Sequence, residues 1–260
     1  MTTAAGKPVN GHANALNGNH EHVSAWHQPG PAAYDFRSDT MTTPTLSMLH
    51  AISNTTLLDD VVLEDPTTNA LEAHVASLTG HEAALLVMSG TMGNQVALRT
   101  HLVSPPFSVL CDHRCHIVNY EAGGLSMISG AQTLPLVPSN GHHLTLEDIQ
   151  AHAVISDDVH ACPTAVISLE NTLNGTVNPL SNLREISTWA RSHGIKMHLD
   201  GARIWEVASS THPNAAGSLS DFCNLFDSVS LCFSKGLGAP IHLSSSAANP
   251  SSNAAASARC

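Results

Sequence analysis

Short, almost wholly apolar runs alternate with amphipathic segments along the middle of this chain. That alternation restricts the fold more than any other feature of the sequence. Ala83 to Met88, Ser108 to Cys111, Ala165 to Leu169, Lys196 to Leu199 and Ser228 to Phe233 are the strand candidates. A strand apolar on both faces is buried on both, which calls for helices above and below a mostly parallel sheet. The segments between supply them. Asp65-Pro66 offers a cap and a first-turn proline, Leu71, Val75 and Leu78 recur at helical spacing, and Gly80 ends the pattern. A second helix is expected from about Ser89 to Leu102, and Leu180, Leu183, Ile186 and Trp189 mark a third. The expected fold class is α/β, with a mostly parallel sheet, helices on both faces and ligands at the carboxyl ends of the strands.

The flanks read differently. Residues 1–33 are rich in Gly, Asn, His and Ala, lack the apolar core of a signal peptide, and are expected to be a disordered tail. Residues 242–260, HLSSSAANPSSNAAASARC, are low in complexity and expected to be unfolded. This leaves residues 34–241 as the folded domain. The formal net charge is −11, with ten Lys and Arg residues against 21 Asp and Glu. That balance disfavours nucleic acid and anionic membrane surfaces as partners, because both demand clustered cations. No apolar run approaches the length of a membrane span. Six irregularly spaced cysteines and no secretory signal point to reduced thiols in the cytoplasm. Cys111-Asp112-His113-Arg114-Cys115-His116 fits no standard zinc spacing, so no metal is expected.

Three segments carry candidate chemistry. The chain has three lysines: Lys7 in the tail, Lys196 in a polar turn, and Lys235. Lys235 follows the apolar run SVSLCF and precedes Gly236-Leu237-Gly238. An amine at the end of a buried strand is partly desolvated and becomes a nucleophile toward carbonyls, although a lysine in a surface loop reads the same way on position alone. Asp200 ends the strand of His198-Leu199-Asp200-Gly201-Ala202-Arg203. Its carboxylate suits a protonated pyridine nitrogen, with Arg203 within reach of the ring's phenolic oxygen or a substrate carboxylate. The alternative is a helix cap by Asp200 beside a surface arginine. Ser89-Gly90-Thr91-Met92-Gly93-Asn94 joins a strand to a helix, and backbone N–H groups at a helix N-terminus bind phosphate. It is neither a Walker A loop nor a dinucleotide fingerprint, which argues against a Rossmann-type nucleotide binder.

At these residues the chain resembles the low-specificity L-threonine aldolases in their fungal form. The resemblance is carried by YDFRSDTMTTPT (34–45), EDPTTNALEAHVASLTG (64–80), SGTMGNQ (89–95), HIVNYEAGG (116–124), ISLENTLNGT (167–176), MHLDGARIW (197–205) and SVSLCFSKGLGAPI (228–241). It implies a fold-type I enzyme that uses pyridoxal 5′-phosphate and acts on a small amino acid, usually a homotetramer with sites at dimer interfaces, so that this chain is expected to be a homo-oligomer (a dimer or tetramer). Lys235 would hold the cofactor covalently, Asp200 would meet the pyridine nitrogen and Arg203 the phenolic oxygen or substrate carboxylate. His116 would stack on the ring, Gly90 and Thr91 would hold the phosphate, and Ser38 would help bind the substrate carboxylate. His160, in DDVHACPT, corresponds to a family histidine near the β-hydroxyl. The implied reaction is retro-aldol cleavage of L-threonine or L-allo-threonine to glycine and acetaldehyde, with His160, His116 or a water taking the hydroxyl proton. Val62 and Leu63 stand where the family usually has an aromatic residue and a glycine.

After Ile241 the resemblance stops. A family member would continue into a C-terminal small domain bearing substrate- and phosphate-binding arginines, and its apparent absence points to a truncated gene model, an unspliced intron or a frameshift. Two alternatives follow: a related lyase performing β-elimination, and an inactive fragment that binds intact subunits without turnover.

Overall fold

The strands are β1 (Ala83–Val87), β2 (Ser108–Asp112), β3 (Gln132–Leu136), β4 (Thr164–Glu170), β5 (Lys196–Asp200), β6 (Ser228–Cys232) and β7 (Ser244–Ala248). They form one sheet in the order β1-β7-β6-β5-β4-β2-β3. The computed structural model describes residues 31–240 and 244–248 of the chain. Neighbours from β3 across to β6 pair in parallel, while β7 lies antiparallel to both β6 and β1. The α/β expectation therefore holds. Because β1 and β6 both oppose β7, they run in one direction, and the carboxyl ends of β1, β2, β4, β5 and β6 share one edge.

Helices cover both faces. They are α1 (Leu46–Ser53), α2 (Pro66–Thr79), α3 (Gly90–His101), α4 (His116–Asn119), α5 (Gly124–Ser129), α6 (Leu146–His152), α7 (Leu180–Ser192), α8 (Ile204–Ser209) and α9 (Leu219–Cys223). Successive strand residues point to opposite faces, and the core divides accordingly. Leu110, Ile167, Leu199 and Val229 pack with Val75 of α2, Leu183 and Ile186 of α7 and Phe222 of α9. Val109, Cys111 and Val166 pack on the other side with Leu98 of α3 and Leu125 of α5. Asp65 caps α2 by accepting from Thr68 N, and Gly80 closes it at φ 75°, the left-handed conformation that a side chain resists. Leu78 departs from expectation. The face that α2 buries is Glu72, Val75, Ala76 and Thr79, and Leu78 points outward.

Two strands lie where the sequence predicts none. β3 is an edge strand containing Pro135, a residue that an edge tolerates because one side makes no ladder bonds. β7 falls inside the segment 242–260 expected to be an unfolded tail, so that boundary is corrected. Its Ser and Ala residues show no apolar alternation, yet their backbone closes the gap between β1 and β6 and pairs both. Of the expected tail 1–33, residues 1–30 lie outside the described residues, as do 249–260, while Pro31–Tyr34 forms a 3-10 turn. Cys111, Cys115, Cys162 and Cys223 are free thiols, and no described helix is long and apolar enough to cross a membrane.

Candidate active site

The shared strand edge opens into a cavity of about 340 Å³, lined by Thr40, Ser89, Gly90, Thr91, Asn94, His116, Glu170, Asp200, Ala202, Arg203, Cys232, Ser234 and Lys235. Each strand end delivers its residue by register. Glu170 pairs with Asp200 across β4 and β5, and Asp200 pairs with Ser230 across β5 and β6. After β5 the chain turns close against β6. The Gly201 N–H donates to Ser230 O at 2.8 Å, and a Cβ on Gly201 would stand 2.9 Å from that same oxygen. Only glycine fits, which fixes where the Asp200 carboxylate emerges.

Asp200 is buried. Its Oδ1 accepts from Ala202 N at 3.1 Å and its Oδ2 from Asn94 Nδ2 at 2.7 Å. His116 opens α4. Its N–H donates to Glu170 Oε2 at 2.9 Å, and its Nδ1 lies 2.9 Å from Oε1 of the fully buried Glu121 carboxylate. That hydrogen bond raises the His116 pKa, with help from the charges of Asp200, Glu121 and Glu170. Glu170 is held well above the ordinary carboxylate range, first by burial and then by the Asp200 charge. One ligand-type atom from each of His116, Glu121 and Asp200 lies within 4.8 Å of the others. Hydrogen bonds join these three through Asn94.

On the far wall, Ser89 caps α3 by accepting from Met92 N at 3.1 Å, and Gly93 N reaches Ser89 O. Gly90 and Thr91 line the cavity, and the first N–H groups of a helix have no acceptor within it, an arrangement that attracts anions. Lys235 stands in a turn closed by Gly238 N to Lys235 O and Ala239 N to Phe233 O, both 2.8 Å. Arg203 forms a two-point pair with Asp39, with Nε 2.5 Å from Oδ2 and Nη2 2.8 Å from Oδ1.

The donor set fits pyridoxal phosphate. One amine, one buried carboxylate, an imidazole and a helix N-terminus line a space of suitable size for a small cofactor. Comparison with known proteins agrees. The family model described as beta-eliminating lyase matches residues 35–246. The chain belongs to the beta-eliminating lyase family. It is 54% identical over 226 residues to an aldolase, vrtJ, of Penicillium aethiopicum, covering 87% of this chain and 57% of that one. It is 50% identical over 211 residues to the low specificity L-threonine aldolase of Saccharomyces cerevisiae, covering 81% and 54%. A solved structure from Listeria monocytogenes, provisionally assigned as an L-allo-threonine aldolase, superposes with a TM-score of 0.67 at 27% identity, covering 82% of this chain and 56% of that one. The chain thus spans little more than half the length of these relatives.

Within this family frame, six expected site residues meet in the one cavity: Lys235, Asp200, Arg203, His116, Gly90 and Thr91. Two do not line it. Ser38 is exposed and bonds to Thr40, whose own side chain lines the rim. His160 lies on a loop with its imidazole 90% exposed and 2.9 Å from Asp158 Oδ1. Asn94, Glu121 and Asp39 sat inside the motif segments without an assigned role. Helical spacing gives the signal for Asn94, which follows Gly90 by one turn and so shares its side of α3.

Proposed function

We propose that residues 34–241 form the pyridoxal-phosphate-binding domain of a carbon–carbon lyase that cleaves β-hydroxy amino acids of the L-threonine and L-allo-threonine class to glycine and an aldehyde. The observation that carries this reading is that Lys235, Asp200 and the α3 N-terminus line a single cavity. Bound pyridoxal phosphate supplies an aldehyde that captures an amine and a ring that accepts electrons from the breaking bond. Asp200 holds a proton at the ring nitrogen, and the N–H groups of Gly90 and Thr91 receive the phosphate. Lys235 would hold the cofactor through its aldehyde, and its amine is the group that a substrate amine would displace. Arg203, which shares the lining with Thr40, receives the substrate carboxylate, and Ser38, bonded to Thr40, assists only if it moves to the cavity. A base among these residues would take the β-hydroxyl proton, and the bound ring would accept the electrons of the Cα–Cβ bond, so that the products would be an aldehyde and, once Lys235 displaces its amine, glycine. His116 lines the cavity and is the first choice for that base; His160 serves only if its loop closes over the bound substrate. The reading includes a cytoplasmic homo-oligomer.

Borohydride reduction of the cofactor-loaded chain, followed by peptide mapping, is expected to mark Lys235, and L-threonine is expected to release acetaldehyde. A folded chain with no label sinks the reading. The family model favours a second reading, β-elimination. Ammonia and a keto acid in place of glycine and aldehyde would establish it.

A further inference from the structure

Asn94 is 1% exposed and lies between two buried carboxylates. Its Nδ2 is 2.7 Å from Asp200 Oδ2 and 2.8 Å from Glu121 Oε1. Ionised carboxylates only accept, so the nitrogen end of the amide must face them. Its Oδ1 then faces His198 Nε2 at 3.1 Å and accepts from it. His198 is fully buried and neutral, because burial and the neighbouring His101 push its pKa down to about 3. With Nε2 carrying the proton, Nδ1 accepts from the Ser228 hydroxyl at 2.9 Å. That hydroxyl has one proton, so His101 Nε2, 2.8 Å away, donates to it. Every bond in the chain from His101 through Ser228, His198 and Asn94 to the two carboxylates therefore has a fixed direction. Gln95 Nε2 donates to Glu121 Oε2 at 2.6 Å, and His116 Nδ1 donates to Glu121 Oε1.

We infer that Asn94 is a positioning residue: its carboxamide, locked by His198, holds Asp200 and the Glu121–His116 pair in one fixed relation. The two side chains set to meet the pyridine ring, one at its nitrogen and one at its face, are thereby aligned by a single buried group. This rests on the reading of the cavity as a pyridoxal-phosphate site. The amide cannot turn over without placing its oxygen against two carboxylates, so the alignment exists before any ligand arrives.

The test compares the full chain with its Asn94→Ala and Asn94→Asp variants, loaded with pyridoxal phosphate labelled with nitrogen-15 in the ring. In the parent chain the ring-nitrogen resonance is expected at the protonated position. In both variants it should move toward the unprotonated position, with cofactor affinity weakened roughly tenfold or more. A merely structural role would lower the unfolding temperature and leave that resonance in place, which would overturn the inference. The alanine variant adds no buried charge and so carries the test should the aspartate variant, which sets a third carboxylate beside two, fail to fold. Failure of both to fold would make Asn94 a residue of the core and also overturn the inference. If the parent chain takes up no cofactor, the proposed function falls, and this inference with it. A loaded parent chain with an unmoved resonance in the variants removes the inference alone.

Discussion

Asp200 and Arg203 stand three residues apart and are held in opposite ways. Asp200 belongs to the floor of the cavity, where each carboxylate oxygen accepts a hydrogen bond from a fixed donor and a polar chain of four further residues lies behind it. Arg203 belongs to the rim, where its carboxylate partner, Asp39, is itself 37% exposed. Buried networks are strong only when every member is satisfied, whereas an exposed ion pair exchanges readily with water and salt. The floor is suited to holding a group that stays, and the rim to a group that comes and goes.

Lys235 joins the two regions, following β6 of the floor but standing in a loop at the rim, and its loss gives the largest expected effect. Lys235→Ala should abolish the borohydride label and lower the cleavage rate beyond the ~10²–10⁴-fold that a positioned acid–base group supplies. A variant that keeps activity within that range would show that Lys235 does not anchor the cofactor.

Acid should break the floor and spare the rim. His101, with its pKa pushed down to about 4 chiefly by burial, and His198, at about 3, are neutral in the fold. The unfolded chain takes up these protons below the ordinary value of 6.5, so their contribution is complete above pH 6.5 and is lost as the pH falls toward the folded values. Each histidine should cost about 1.4 kcal/mol per pH unit in that window. Denaturant unfolding of the ligand-free Glu170→Gln chain from pH 7.5 to 5 measures it free of the opposite slope that Glu170 adds, and a flat profile there would contradict the placement of both rings.

Glu170, at the cavity wall between floor and rim, carries the opposite sign. Its folded pKa is raised, so it keeps a proton that the unfolded chain has lost above the ordinary 4.5. Stability from this group is present below 4.5 and declines as the pH rises toward the folded value. Glu170→Gln should therefore raise the unfolding temperature of the ligand-free chain at pH 7.5 and change it little at pH 4.5. A lower temperature at pH 7.5 would mean that the charged form is the one the fold holds.

The sequence made the main cavity residues legible chiefly through motifs that resemble the threonine aldolases, while periodicity gave the α/β fold and the strand ends; the supports of those residues stayed hidden. Lys235, Asp200 and Gly90 each follow an apolar run, so strand pattern alone places them on one edge of a parallel sheet. One partner of Asp200 is the nearby Ala202 N–H, but the other comes from elsewhere: Asn94 is 106 residues away in the chain. No local pattern predicts that contact. His160 shows the converse, since a motif position alone does not state whether its loop reaches the cavity. β7 was hidden for a different reason: its pairing uses backbone groups, and its Ser and Ala side chains give no alternation to read.

The smallest expected effect isolates the rim. Asp39 and Arg203 side chains are 37% and 35% exposed, so the pair contributes no more than about 1 kcal/mol to stability. Asp39→Asn should leave unfolding nearly unchanged and leave the ring-nitrogen resonance of bound cofactor where it was, because nothing in the floor depends on Asp39. It should still act on substrate. Asp39 takes Nε and one terminal nitrogen of Arg203, which orients the guanidinium and leaves its remaining edge for an incoming carboxylate. Losing that guide should raise the KM for the amino acid by roughly fivefold, about 1 kcal/mol, with kcat little changed. A fall in kcat with KM unchanged would place Arg203 on the cofactor instead of the substrate and dissolve the division between floor and rim.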